Sequence, residues 1–218
     1  MEHNIVEDVN HPHRKFLLGI IEKYNPKSIL DVGCGYGGNI GNLVKMFPNA
    51  EVIGFDIDNE CIKFARKAFG DYPNVSLFCD RIQNIKDVFK STSFDIILTD
   101  AVLMMIPPEE IHGIIEDMLH VGNNLIMCEW NIFNKWTTLA LGFYYRVSGK
   151  CKDLPFIQNS KLGVCVRHSN VYSEKRWARD YKALLSDFGV KDIMITKLPE
   201  KFGDKRWDTL GSVIEART

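Results

Sequence analysis

SILDVGCGYGGN, residues Ser28 to Asn39, reads as a short apolar run around Asp31 that breaks into glycines at 33, 35, 37 and 38. A buried strand that feeds a glycine-dense turn, with a helix behind it, is how a parallel sheet presents a nucleotide-binding loop. Behind this turn Ile40, Leu43, Val44 and Phe47 recur at helical spacing until Pro48-Asn49 breaks the pattern.

Upstream, Pro12 suits the first turn of a helix, where its missing N–H costs nothing. Phe16, Leu17, Ile20, Ile21 and Tyr24 then mark one helical face before Asn25-Pro26. Downstream, Glu51 to Phe55 reads as a strand closing at Asp56, followed by a helix from Asn59 to Phe69. Val75 to Cys79 is a third strand, closing at Asp80. A weaker helix around Gln83 to Phe89 leads to a fourth strand, Phe94 to Leu98, that ends near Asp100. Pro107-Pro108-Glu109-Glu110 opens a helix continued by Ile111, Ile114, Ile115 and Met118, and Leu125 to Cys128 is a fifth strand ending at Glu129-Trp130.

The alternation pauses from Asn131 to Tyr172. It resumes with a helix expected over Trp177 to Phe188 and two last strands, Asp192 to Lys197 and Leu210 to Ala216. No convincing helical pattern separates these two, so they are expected to pair antiparallel. Strand–helix alternation implies an α/β fold, a doubly wound and mostly parallel sheet with helices on both faces. The expected organisation is one domain over residues 1–218, with 131–172 as an insertion.

Composition narrows the function. The chain of 218 residues is 45% hydrophobic and 25% charged, with a net charge of -1. That balance provides no bulk attraction to nucleic acid or anionic lipid, so function must reside in a site. The six cysteines are scattered without a C-x-x-C pair, which argues for reduced thiols and against a zinc ribbon. His11-Pro12-His13 lacks a third ligand, so no metal site is expected. The first residues carry acids and no apolar core, and no later run approaches the ~20 apolar residues that span a bilayer. A cytoplasmic protein without a membrane span is the expectation.

Two ligand classes compete for the glycine turn. Gly33, Gly35 and Gly38 satisfy G-x-G-x-x-G, and Asp56 lies about where a ribose-binding acid belongs, as in a dinucleotide site. Asp31 opposes that reading, because a pyrophosphate on the loop would meet a like charge in a partly dry pocket. S-adenosylmethionine carries no phosphate, and its ammonium and sulfonium suit an acid beside the glycines.

The run D-V-G-C-G-Y-G from Asp31 to Gly37 resembles the cofactor loop of the class I S-adenosylmethionine-dependent methyltransferases, and the likeness extends from Ser28 to Trp130. It implies the Rossmann-like methyltransferase fold, a seven-stranded sheet with an antiparallel C-terminal strand, and S-adenosylmethionine as cofactor. By the same likeness, Asp31, Gly33 and Gly35 line the methionine end, Asp56 holds the ribose, and Ile57 packs on adenine. Asp80 accepts from the adenine amino group, flanked by Arg81 and Ile82, while Asp100 and Ala101 meet the sulfonium or ammonium end. The N-terminal helix caps the cofactor in many members of the family, which makes His13 and Arg14 candidates for contact.

In-line methyl transfer needs alignment and exclusion of water, and needs a base only for a hydroxyl or a protonated amine. The family loop therefore names no catalytic residue. Candidates are Glu129, His168, Tyr172 and Asp180, with Trp130 beside Glu129 at the mouth of the sheet. Within 131–172 six basic residues face one acid, Asp153, among seven aromatic side chains. Such an insertion is expected to act as a lid for a small acceptor, apolar or anionic, with Lys150, Lys152 and Arg167 as substrate-binding candidates. The DNA amino-methylation motif is missing: Thr99-Asp100-Ala101-Val102 stands in its place, and Pro107-Pro108 comes too late. No DNA partner is expected, and RNA or protein acceptors rank below a small molecule. A nicotinamide oxidoreductase and a non-catalytic cofactor-binding module are the rival classes, and the number of subunits is open.

Overall fold

The computed structural model describes residues 11–90, 93–132, 161, 163–165, 176–199 and 205–217. Helix α1 (Pro12–Ile21) leads into β1 (Ser28–Val32), α2 (Gly38–Met46), β2 (Glu51–Asp56), α3 (Asn59–Phe69) and β3 (Val75–Cys79). There follow α4 (Ile85–Phe89), β4 (Ile96–Asp100), α5 (Ile111–Val121), β5 (Asn124–Trp130), α6 (Tyr181–Ser186), β6 (Asp192–Lys197), α7 (Lys205–Leu210) and β7 (Gly211–Arg217).

The seven strands form one sheet in the order β3-β2-β1-β4-β5-β7-β6. β7 runs antiparallel to both its neighbours, and the strand pairs from β3 across to β5 are all parallel. The order reverses between β1 and β4. The carboxyl ends of these strands flank a crevice there, which in open α/β sheets is where ligands bind.

Alternate side chains of each strand enter opposite cores, as the period of two requires. Ile29, Val52, Ile96, Leu98, Ile126 and Val213 pack under α1, α2 and α3, joined by Leu17, Ile21, Leu43 and Ile62. Leu30, Ile53, Phe55, Ile97, Leu125, Met127 and Ile214 face α4, α5 and α6, joined by Phe89, Ile115, Met118 and Leu184. Helix α3 begins where Asp58 accepts from the N–H groups of Glu60 and Cys61, capping two otherwise orphaned donors.

The structure departs from the sequence reading in three places. The helix expected over Trp177 to Phe188 starts only at Tyr181. Trp177–Ala178 is instead a short strand paired with Val164–Cys165, and Arg179 exchanges backbone bonds with Trp130 and Ile132. A periodic apolar pattern cannot reveal that these residues are claimed by a neighbouring strand end. Secondly, the fourth strand lies at Ile96–Asp100, because Phe94 makes only an isolated bridge to Gly122. Thirdly, a helical turn, α7, does separate the last two strands, yet they pair antiparallel as expected. No helix among the described residues is long and apolar enough to cross a membrane.

Candidate active site

The glycine turn is built by backbone conformation. Gly33, Gly35 and Gly37 have φ of 75°, 53° and 89°, a region that L side chains rarely enter. The Gly33 and Cys34 N–H groups donate to the Phe55 carbonyl, so β2 holds the turn's entrance. Val102, after β4, closes the other side, since a Cβ on Gly33 would lie 2.2 Å from its Cγ2.

Asp56, closing β2, fixes the turn's centre. Its Oδ2 accepts from Gly35 N at 2.8 Å and its Oδ1 from Asp58 N at 2.8 Å. Beside it Ile57 is 62% exposed, a large apolar side chain presented to solvent at the rim. Asp80 lies next along the sheet edge, with Oδ1 accepting from Arg81 N and Asn84 Nδ2, both at 2.7 Å. Arg81 is exposed and Ile82 is half-buried against the α4–α5 core.

Asp31 is the unusual group. It is 1% exposed, and among the described residues neither of its oxygens has a hydrogen-bond partner within normal distance. Burial pushes its carboxyl up to about 8, and the nearby charge of Asp100 adds to the rise while Arg14 and the Asn39 side chain oppose it. A buried carboxylate without partners is costly, and such groups call for an explanation in what they bind.

Asp100, at the end of β4, is paired by contrast. His13 Nε2 lies 2.8 Å from Oδ2, Asn39 Nδ2 donates to the same oxygen at 3.3 Å, and Arg14 Nε stands 3.7 Å away. Burial pushes this carboxyl up, but His13, Arg14 and Asn39 together hold it below its usual value. Arg14 Nε also donates to Asn39 Oδ1 at 3.1 Å, so α1 is pinned to both α2 and β4. Ala101 follows with a left-handed φ of 62°. A cavity of about 270 Å³ opens here, lined by His11, His13, Arg14, Asp100, Ala101, Leu198 and Trp207.

Several expectations require correction. Glu129 does not face the mouth: it is 0% exposed, with Oε1 accepting from Val102 N and Leu103 N and Oε2 from Met104 N, at 2.9–3.1 Å. Burial pushes this carboxyl up to about 7 against the pull of those three N–H groups. Its work is to hold the loop after β4. Trp130 is equally internal and packs edge-on to Trp207, with ring centroids 5.9 Å apart. Asp180 is the N-cap of α6 and accepts from Ala183 N at 3.0 Å. His168, Tyr172, Lys150, Lys152 and Arg167 lie outside the described residues.

Four residues that sequence reasoning left without a role enter here. Asn39 ends the opening motif itself, so its place in the turn was the available signal. Leu198 and Trp207 come from the far end of the chain, and no local pattern announces them. Arg179 is 0% exposed; its Nη1 donates to Leu103 O at 2.6 Å and its Nη2 to Ile106 O, locking the loop from the side opposite Glu129.

Comparison with known proteins agrees with this geometry. Residues 29–123 match the family described as Methyltransferase domain. Phosphoethanolamine N-methyltransferase of Triticum aestivum is 28% identical over 125 residues, covering 56% of this chain and 24% of the relative. Ribosomal RNA small subunit methyltransferase H of Nitratiruptor sp. is 32% identical over 97 residues, covering 43% of this chain and 30% of the relative. The chain thus spans under a third of the length of these two curated relatives. Among solved structures, magnesium protoporphyrin IX methyltransferase from Synechocystis with bound S-adenosylhomocysteine superposes with a TM-score of 0.60 at 16% identity, covering 100% of this chain and 88% of that one. The glycine turn after β1, the order of the sheet and the segment matched over residues 29–123 agree with one another, and the chain shares the seven-stranded fold of solved methyltransferases.

Proposed function

We propose that this chain binds S-adenosylmethionine across the glycine turn and transfers its methyl group to oxygen or nitrogen of a small acceptor. The observation that carries the reading is Asp31: a buried carboxylate with no hydrogen-bond partner among the described residues, set behind three left-handed glycines, is a prepared place for a cation. Asp31, Gly33, Gly35, Asp100 and Ala101 would surround the cofactor's methionine end. Asp56 would hold the ribose, and Ile57, Asp80, Arg81 and Ile82 the adenine. The cofactor supplies an activated methyl on a cationic sulfur. The protein's part is to neutralise the charged end, orient the methyl carbon toward the cavity beside Asp100 and keep water out.

We assign the 131–172 insertion as a lid for the acceptor within a single domain. Its Lys150, Lys152 and Arg167 are placed in acceptor binding by their charge, so neutralising all three should weaken acceptor affinity and spare the cofactor. Thermal shift with S-adenosylmethionine, S-adenosylhomocysteine and NAD tests the cofactor reading. A ligand that binds only the native state, at one hundred times its dissociation constant, adds ~2.7 kcal/mol of stability. Stabilisation by NAD alone overturns the proposal. Asp56→Ala should lower affinity for both sulfur compounds, and unchanged affinity would show that the ribose lies elsewhere.

A further inference from the structure

In the loop after β4 every backbone N–H from Ala101 to Ile106 is bonded. Ala101 N donates to Cys128 O, Met105 N to Val102 O and Ile106 N to Leu103 O. The N–H groups between them, on Val102, Leu103 and Met104, all donate to the Glu129 carboxyl. Arg179 takes up the Leu103 and Ile106 carbonyls. So fastened, the loop sets Val102 against the glycine turn, where a Cβ on Gly33 would lie 2.2 Å from Val102 Cγ2. Gly33 is therefore held between this side chain and the Phe55 carbonyl that accepts its N–H.

Glu129 gathers its three donors best as an anion. An ionised carboxylate only accepts, whereas a protonated one turns one oxygen into a donor. Oε1 takes Val102 N and Leu103 N and Oε2 takes Met104 N, so a proton on either oxygen confronts an N–H group. Hydrogen bonds to a charged acceptor are also about twice as strong as neutral ones. Burial pushes the carboxyl up to about 7, against the N–H groups of Leu103, Val102 and Met104 and the Thr99 side chain. The bonded stretch of the loop brings no titratable side chain. Arg179 is the facing cation, and Tyr181, at the start of α6, is pushed up by burial and by the charge of Glu129. On β7 the residue opposite is Ser212. Cys128 and Asp100 alternate with Glu129 and Thr99 and turn to the other face of the sheet, where burial pushes the Cys128 thiol up.

We propose that Glu129 is a positioning residue that links cofactor affinity to a proton: ionised, it holds the loop after β4 so that Val102 braces Gly33, and protonated, it lets loop and turn relax. The inference rests on the methyltransferase reading above for its ligand. A turn already braced costs the cofactor less to order. By reciprocity, the bound cofactor favours the ionised Glu129, and binding below about pH 7 releases a proton from it.

Two measurements on the full chain test this. The first needs no ligand and uses Asp31→Asn, which silences the other carboxyl at the turn. The amide NMR shifts of Val102, Leu103 and Met104 should titrate in one step near pH 7, and Gly33 should share that step. Adding Glu129→Gln should abolish it. A Gly33 amide that stays still while the loop amides move overturns the brace, and loop amides that do not titrate overturn the proton link. The second compares S-adenosylhomocysteine dissociation constants of the parent and Glu129→Gln across pH. The contribution of Asp31 is common to both proteins and cancels in their ratio. The variant should bind about 5- to 150-fold more weakly at about pH 9 and nearly equally at about pH 5. A ratio that is the same at every pH overturns the link and leaves the cofactor reading standing. Failure of the parent to bind at any pH overturns the cofactor reading and the link with it.

Discussion

Replacing Asp31 by Asn should make the protein more stable while stripping it of its cofactor. Burial holds the Asp31 carboxyl at about 8, against 3.8 for an exposed one, and the Arg14 charge and the Asn39 side chain offset only part of that rise. A folded-state value above the unfolded one means that the folded protein binds more protons. Stability is therefore fully retained below the unfolded value and is lost progressively as pH rises through the folded value. At neutral pH, folding must bring a proton onto Asp31, which costs about 1.4 kcal/mol per pH interval, or roughly 4 kcal/mol from the unfolded value up to pH 7. The amide of Asn removes that cost but is itself a buried polar group without a partner, at ~1–3 kcal/mol. The net expectation is a gain of ~2 kcal/mol, seen as a rise of ~4–8 °C in Tm. The assay is thermal and urea unfolding of both proteins across pH, with no ligand present. The gap should shrink as pH falls, pass through zero near pH ~5.3 and reverse by about 2 kcal/mol near pH ~4, where Asp31 is protonated in both states and only the amide's cost remains. Binding of the cationic cofactor should fall at least ~30-fold in the variant, the loss of one charged partner of about 2 kcal/mol. In the parent protein, affinity should rise with pH up to about 8, as the carboxylate becomes available. A variant less stable at neutral pH, or one with the same offset at every pH, would refute the argument.

Two further substitutions probe the frame around the site. Arg179→Met keeps length but leaves the Leu103 and Ile106 carbonyls without their donor, and should cost ~2–5 kcal/mol in urea unfolding. The same change should lower S-adenosylhomocysteine affinity, because the loop that carries Val102 against Gly33 is released; a loss under ~1 kcal/mol would show that the loop finds other donors. Asp180→Ala removes a helix cap and should cost ~1 kcal/mol. It should leave kcat unaltered, and a large fall in kcat at unchanged stability would return Asp180 to the chemistry.

The parts of the site legible in the sequence are those built by neighbours in the chain. Strand periodicity, the glycines after β1 and the acids that close β2, β3 and β4 are local patterns, and a parallel sheet brings the carboxyl ends of its strands to one side. That was enough to place Asp31, Asp56, Asp80 and Asp100 around one crevice. It could not separate the unpartnered Asp31 from the satisfied Asp100, because the difference is made by His13, 87 residues away in sequence.

Long-range packing decided the rest. Glu129 looks like an acid at a strand mouth, yet it takes three N–H groups from a loop 25 to 27 residues earlier, which turns it inward. Arg179, beside the cap of α6, reaches back 76 residues to Leu103. Asp180 is a cap because the preceding residues are taken up by strand pairing, and Trp207 enters the cavity wall because the last two strands fold the chain's end over it. Local sequence sets backbone conformation and the face that a side chain turns to. Which buried polar group finds a partner depends on elements far apart in the chain, and only the folded packing brings them together.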